Sequence, residues 1–485
     1  MINLKLIYKI IGSLLFIEAA LMAICLIMAI AWGESDIKAF SISIAVTLVC
    51  ALLLRYLGRK SDNMLSRRDA YLVVTLSWVL FSLFGTLPFM TGGYIKSFTD
   101  AYFETMSGFT TTGATIIDDV ECLPHGILFW RSLTQWIGGL GIVFFTIALL
   151  PSLIGGSVKI FAAEATGPIR MKLHPKLSTS SQWIWMVYLI LTVACALSYM
   201  FFGMDWFDAV NYSMSTTATG GFSTHNASAA FFHNAAIEYA CALFCFLSGT
   251  NFTLLYFTVA KLKFKELFKN SEFKLYFVLV AVFSVFIAIE LMIHNGYDIE
   301  KALRCGLFQV VSFITTTGLF SDDAGKWPHV TWVVLATCMF IGACSGSTSG
   351  GLKCIRGVML LKIVKNEFRQ ILHPNAVLPL KIDNINVPNS KRVTLLAFLT
   401  VDLILCLICS FWMIAEGIDS TNAITITLSS IGNVGPTLGL EIGPTMSWSM
   451  LPDDAKWLCS LLMLIGRLEI FSVLVIFTSA FWKDN

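Results

Sequence analysis

Charge is scarce in this chain. Only 13% of its 485 residues are Asp, Glu, Lys or Arg, against 56% hydrophobic. A soluble chain of this size carries about twice that charged fraction. Net charge is +2, with no acidic or basic tail, which excludes an electrostatic nucleic-acid binder. The thirteen cysteines form no CxxC pair, and several, such as Cys241, Cys245, Cys406 and Cys409, sit inside apolar runs. That pattern reads as small buried hydrophobes, not as a metal or disulfide framework. The seven histidines are dispersed, and no workable His, Asp or Cys cluster or phosphate-binding glycine motif suggests an enzyme.

What the chain has is apolar length. Mean hydropathy is +0.76, so lipid is the expected solvent for most of it. Candidate spans cover 10–31, 36–56, 70–91, 126–150, 183–203, 235–260, 274–294, 327–352, 393–415 and 457–481. The first follows Lys5 and Lys9 but is too long for a signal-peptide core, so it is read as a retained span. Four shorter apolar helices lie near 98–108, 205–216, 299–313 and 419–431, too short to cross the bilayer. Their expected caps are Ser97 or Thr99, Asp205, Asp298, and Asp419 or Ser420.

Basic residues set the orientation. Arg55, Arg59, Lys60, Arg67 and Arg68 share one loop, and Lys159, Arg170, Lys172 and Lys176 another. Lys261, Lys263, Lys265, Lys269 and Lys274 follow, then Lys353, Arg356, Lys362, Lys365, Arg369, Lys381, Lys391 and Arg392. With ten spans all four groups fall on one side, which the positive-inside rule makes cytoplasmic. Both termini are then cytoplasmic.

Each short helix runs into a similar stretch: SGFTTTG (107–113), MSTTATG (214–220), SFITTTG (312–318) and SSIGNVG (429–435). The expected fold is an all-α polytopic membrane protein: four parallel span–pore helix–span repeats around a pseudo-fourfold pore, plus two leading spans. The units are 1–68 (leading spans), 69–176, 177–270, 271–385 and 386–485 (the four repeats). Helix C-termini facing an axis favour a cation. Loops without carboxylates offer neutral oxygen, which suits a weakly hydrated monovalent ion. The candidate selectivity filter is Thr110, Thr111, Thr112 and Gly113; Thr217, Ala218, Thr219 and Gly220; Thr315, Thr316, Thr317 and Gly318; and Gly432, Asn433, Val434 and Gly435, with K⁺ held by backbone carbonyls.

The eighth span is interrupted by Gly342, Ala343, Cys344, Ser345, Gly346, Ser347, Thr348, Ser349, Gly350 and Gly351. Four glycines and four hydroxyl residues in ten positions destabilise a helix. A break at membrane depth lines a cavity, so the segment is a mobile constriction or a packing contact near a helix end. Arg467 lies inside the last span and must face the bundle or water. It reads either as a positive barrier in the pore anchoring 342–351 or as half of a structural ion pair. Lys353 is expected to snorkel to the interface.

The chain resembles the Trk/Ktr/HKT superfamily of bacterial potassium transporters, closest to its TrkH branch. GFTTTGAT (108–115), QWIGGLGI (135–142), TATGGFST (217–224), GACSGSTSGGLK (342–353) and GRLEIF (466–471) carry the resemblance, which covers nearly the whole chain. It implies potassium uptake across the bacterial inner membrane, an intramembrane gating loop at 342–351 and a pore-facing Arg467. It also implies a homodimer with one pore per protomer and a cytoplasmic, TrkA-like nucleotide-binding regulatory subunit. Nucleotide (NAD or ATP/ADP) belongs to that partner, with no cofactor in this chain. A K⁺ symporter coupled to H⁺ or Na⁺ is the alternative.

Overall fold

The computed structural model describes residues 2–62, 65–142, 177–260, 264–383, 385–483. The end of the candidate span 126–150, and Lys159, Arg170, Lys172, Lys176, Lys261 and Lys263, lie outside the described residues. Two long apolar helices lead: α1 (Leu4–Trp32) and α2 (Ile37–Leu57), packed as an antiparallel pair. The first repeat is α3 (Arg67–Gly85) with its one-turn continuation α4 (Leu87–Thr91), α5 (Phe98–Phe109) and α6 (His125–Leu140). Ser66 and Asp69 close a reciprocal capping box at the start of α3.

The second repeat holds α7 (Leu177–Phe201), α8 (Trp206–Ala218), α9 (Ala235–Ser248) and α10 (Phe252–Ala260). After the short α11 (Phe264–Lys269), the third holds α12 (Ser271–His294), α13 (Ile299–Ile314), α14 (His329–Ile341) and α15 (Cys354–Leu372). A two-stranded antiparallel hairpin, β1 (Lys381–Ile382) with β2 (Ile385–Asn386), precedes the fourth. That repeat holds α16 (Asn389–Ala415), α17 (Ser420–Gly432), α18 (Asp453–Arg467) and α19 (Phe471–Leu474).

The four short helices fall where the pattern puts them. Ser97, Asp205 and Asp419 accept from first-turn amides, while Asp298 occupies its cap position without a side-chain bond. Their C-terminal ends are buried: along α5, every residue from Ala101 to Phe109 is shielded. The long first spans instead keep apolar faces outward, with Ile27, Leu53, Val282 and Leu407 all exposed. Apolar side chains outside and polar ones inside are the arrangement of a chain dissolved in lipid. Among the described residues, six helices are long and apolar enough to cross a membrane, and two bent pairs could each form one more span. The chain is a multi-pass membrane protein.

The second spans of the second and fourth repeats correct the sequence reading. Continuous helices were expected over 235–260 and 457–481. The structure bends them by 106° between α9 and α10 and by 107° between α18 and α19. Helix α14 stops at Ile341, as the glycine run required, and α6 stops at Leu140 before Gly141 (φ 92°). Two further second spans therefore break besides the one at 342–351, and the helix of the first repeat ends at Leu140. The signals were small-residue motifs already visible, Gly138-Gly139 and Ser248-Gly249, and Gly466 before a charge. A hydropathy window averages across them.

Candidate ion pathway

Each short helix ends in a tight turn built on the same serine. The amide of Thr112 donates to the Ser107 carbonyl, Gly220 to Ser215, Thr317 to Ser312 and Val434 to Ser429, at 2.8–2.9 Å. Next to each donor sits a non-glycine residue in the left-handed region: Thr111 (φ 55°), Thr219 (54°), Thr316 (56°) and Asn433 (54°). β-branched residues rarely adopt that conformation. Three of them doing so at equivalent positions marks a backbone held by its surroundings. A glycine at positive φ follows the donor in each loop: Gly113, Gly221, Gly318 and Gly435.

This geometry moves the second loop by one residue. Gly221, not Gly220, is the counterpart of Gly113, and the equivalent stretch is Ala218, Thr219, Gly220 and Gly221. Thr217 is still helical, and its hydroxyl donates to the Ser213 carbonyl. The alignment that finds this is Ser-x5-Gly, which holds in all four loops; matching the loops on their threonines hides it, because the second loop carries two glycines in a row.

The four glycines close a ring. A Cβ added to Gly113 would collide with the Gly220 carbonyl oxygen, and one on Gly221 with that of Thr317. On Gly318 it would strike the Val434 oxygen, and on Gly435 that of Thr112. The contacts run from loop one to two, three, four and back to one, so the loops surround an axis. Gly113, Gly221, Gly318 and Gly435 all line one open cavity on that axis, together with Asp118 and Arg131. At its rim, hydrogen bonds from Cys122 and Asn226 hold the exposed Asp119 carboxyl below its ordinary pKa.

Side-chain bonds brace the ring, some from filter residues and some from Gln135, Glu104 and Arg131, which the sequence did not single out. Gln135 donates through Nε2 to the Gly220 carbonyl (2.7 Å) and accepts from the Phe222 amide (3.1 Å). Asn433 donates through Nδ2 to Thr112 Oγ1 (3.0 Å) and to the Met463 carbonyl (2.9 Å). Thr110 and Thr112 hydroxyls pair at 2.9 Å, as do Thr315 and Thr317 at 2.7 Å. Glu104 and Arg131 form a buried ion pair at 2.9 Å, and the same carboxylate accepts from Thr115 Oγ1 and the Ile116 amide. Glycines of the second spans let the loops pack closely: a Cβ on Gly138 would meet the Phe109 carbonyl, and one on Gly466 that of Ile431.

Directly beside the loops lies the segment 342–351. The Gly350 amide donates to Thr316 Oγ1 (2.7 Å), and Thr348 Oγ1 donates to the Thr217 carbonyl (3.0 Å). Gly350 also abuts the Gly432 carbonyl so closely that no Cβ would fit. The segment thus touches the bases of loops two, three and four. Arg467 completes the circuit, donating through Nη1 to the Thr348 carbonyl (2.9 Å) and through Nη2 to those of Gly138 and Gly139 (2.6 Å each). Its guanidinium faces the bundle, not lipid. Glu469, two residues on, pairs with Arg356 at 2.6 Å. Lys353 does not snorkel: it is buried, and its ammonium donates to the Ser349 carbonyl. Ten of the thirteen cysteines are buried and all are free thiols.

Known proteins share this chain's sequence and fold. The family profile TrkH, described as a cation transport protein, matches residues 36–484. The Trk system potassium uptake protein TrkH of Halomonas elongata is 36% identical over 483 residues, covering 99% of this chain and 100% of that protein. Its namesake in Escherichia coli K12 is 35% identical over 485 residues, covering 99% and 100%. The crystal structure of the potassium transporter TrkH from Vibrio parahaemolyticus superposes with a TM-score of 0.89 at 33% identity, covering 99% of both chains. A profile match over most of the chain, full-length relatives and a superposable fold agree: this chain belongs to the TrkH family of cation transport proteins.

Proposed function

We propose that the chain takes up potassium ions through a gated pore on the axis of its four loops. The closed ring of glycine-to-carbonyl contacts carries this reading. Backbone carbonyls of Thr110–Gly113, Ala218–Gly221, Thr315–Gly318 and Gly432–Gly435 would replace the hydration shell of K⁺, with the C-termini of the four short helices adding negative potential. Segment 342–351, held by Arg467, obstructs the path beneath. The relatives named as potassium uptake proteins support the choice of ion.

The repeat boundaries above are the working division of the chain. The protein is a homodimer in the bacterial inner membrane, with both termini cytoplasmic. A TrkA-like cytoplasmic subunit holds the regulatory nucleotide, NAD or ATP/ADP, and this chain needs no cofactor. The "Trk system" names of the relatives support a multi-subunit assembly. Purified protein in liposomes tests the core of the reading. Steady K⁺ current down its own gradient, at equal pH and Na⁺ on both sides, is the expected result. Flux that requires a pH or Na⁺ gradient would replace the pore with a symporter.

A further inference from the structure

The segment 342–351 is held in two unlike halves. Its first half is moored to the α9–α10 break: Cys344 donates to the Gly249 carbonyl (3.0 Å), Asn251 Nδ2 to that of Ser345 (2.6 Å), and the Phe252 amide to that of Gly346 (3.0 Å). Its second half, Ser347–Gly351, reaches the loop bases and Arg467. One carboxylate fixes the frame. Glu272, the second residue of α12 and 3% exposed, accepts from the Ser345 amide (2.5 Å) and hydroxyl (3.0 Å) and from the Ile355 amide (3.0 Å). Ser345 lies near the start of the segment and Ile355 just past its end, so Glu272 pins both flanks. It also caps α15 from another helix, since the residue at the cap position is Lys353, at φ 75°, without a side-chain cap bond.

The neighbouring residue ties this post to the surface. Asp383, in the turn between β1 and β2, accepts from the Ser271 amide (3.0 Å) and hydroxyl (2.5 Å) and from Asn270 Nδ2 (3.0 Å). The hairpin is seated on α15 through Leu380 and Ile382, buried against Ile355, Val358 and Met359. Asp383, Ser271, Glu272 and Ser345 therefore form a short bonded series from an exposed turn to the segment.

We infer that Glu272 is a positioning residue that holds segment 342–351 in its obstructing place, and that the hairpin turn at Asp383 is the surface handle through which the hold is loosened. This rests on the reading of 342–351 as an obstruction. Glu272→Gln keeps the shape of the side chain but weakens acceptance from three donors. Full-length protein in liposomes is assayed for K⁺ flux per folded molecule, with wild type, Glu272→Gln, Asp383→Ala, the double variant, and each in a background lacking 347–351. Glu272→Gln is expected to raise flux about fivefold or more, in the range of ordinary coupling, at unchanged K⁺/Na⁺ ratio. Asp383→Ala should act in the same direction, and the double variant should fall short of the product of the singles. In the shortened background neither should matter. Ser345→Ala, which removes one of the three donors, gives the same test if Glu272→Gln folds poorly. Unchanged flux in folded Glu272→Gln and Ser345→Ala, or an equal effect without 347–351, overturns the inference alone. Wild type that passes no K⁺, or a shortened segment that leaves flux level, overturns the functional reading instead.

Discussion

Arg467 donates to the carbonyl of Thr348 at 2.9 Å, and the same guanidinium reaches Gly138 and Gly139 in the first repeat. One side chain from the fourth repeat thus fastens a segment of the third to the first. Three carbonyls arranged around a planar fork suit arginine better than lysine, whose ammonium is a single point.

Replacing Arg467 should therefore free the segment. Arg467→Ala is expected to raise K⁺ flux per folded molecule with little change in K⁺/Na⁺ ratio, and Arg467→Lys should fall between. Liposome flux on variants matched for folded amount checks this. Unchanged flux with a much lower unfolding temperature would instead make the arginine a structural tie.

Removing 347–351 should raise flux further while ion preference holds, because the ring of glycines is left in place. Reversal potentials in mixed K⁺/Na⁺ solutions measure the preference. A fall in flux through folded protein would mean that the segment supports the path and does not block it.

The second loop offers a sharper comparison. Gly221 is at φ 88° and faces the Thr317 backbone, so Gly221→Ala meets both strain and collision. The atoms nearest an added Cβ at Gly220, which is not at positive φ, belong to the Gln135 side chain, which would shift at the cost of its brace, while no backbone stands as near. Gly221→Ala should cut K⁺ preference over Na⁺ strongly, and Gly220→Ala mildly. The reverse order, read from the same reversal potentials, would restore the register that threonine matching suggests.

Much of this was legible beforehand. The four short helices showed through their length and their caps, and segment 342–351 through its density of glycine. The second-loop register was hidden, because Gly220-Gly221 offers two candidates and only the serine hydrogen bond tells them apart. The breaks near Gly249 and Arg467 were hidden because a few small residues barely lower the hydropathy of a long window. The braces were invisible for another reason. Gln135 lies 85 residues from Gly220, and Glu272 lies 73 from Ser345. No local pattern joins residues so far apart.

The Glu104–Arg131 pair is buried at 0% and 2% side-chain exposure. Arg131→Leu would strand a buried carboxylate that also holds Thr115 and Ile116, at a cost of about 3–5 kcal/mol. Thermal unfolding in detergent should show a clear loss for Arg131→Leu. Adding Glu104→Leu should return part of it, since the stranded charge is then gone.

The ring is closed by Thr112, Gly220, Thr317 and Val434, all supplied by a single polypeptide. In a pore assembled from four identical subunits, one codon change alters every quadrant together, and most such changes are ruinous. Here one codon change alters a single quadrant and leaves the other three as they were. With the ring as the proposed filter, ion preference would be adjustable by quarters, and the unlike fourth loop, Gly432-Asn433-Val434-Gly435, shows how far one quarter can differ while the ring stays closed.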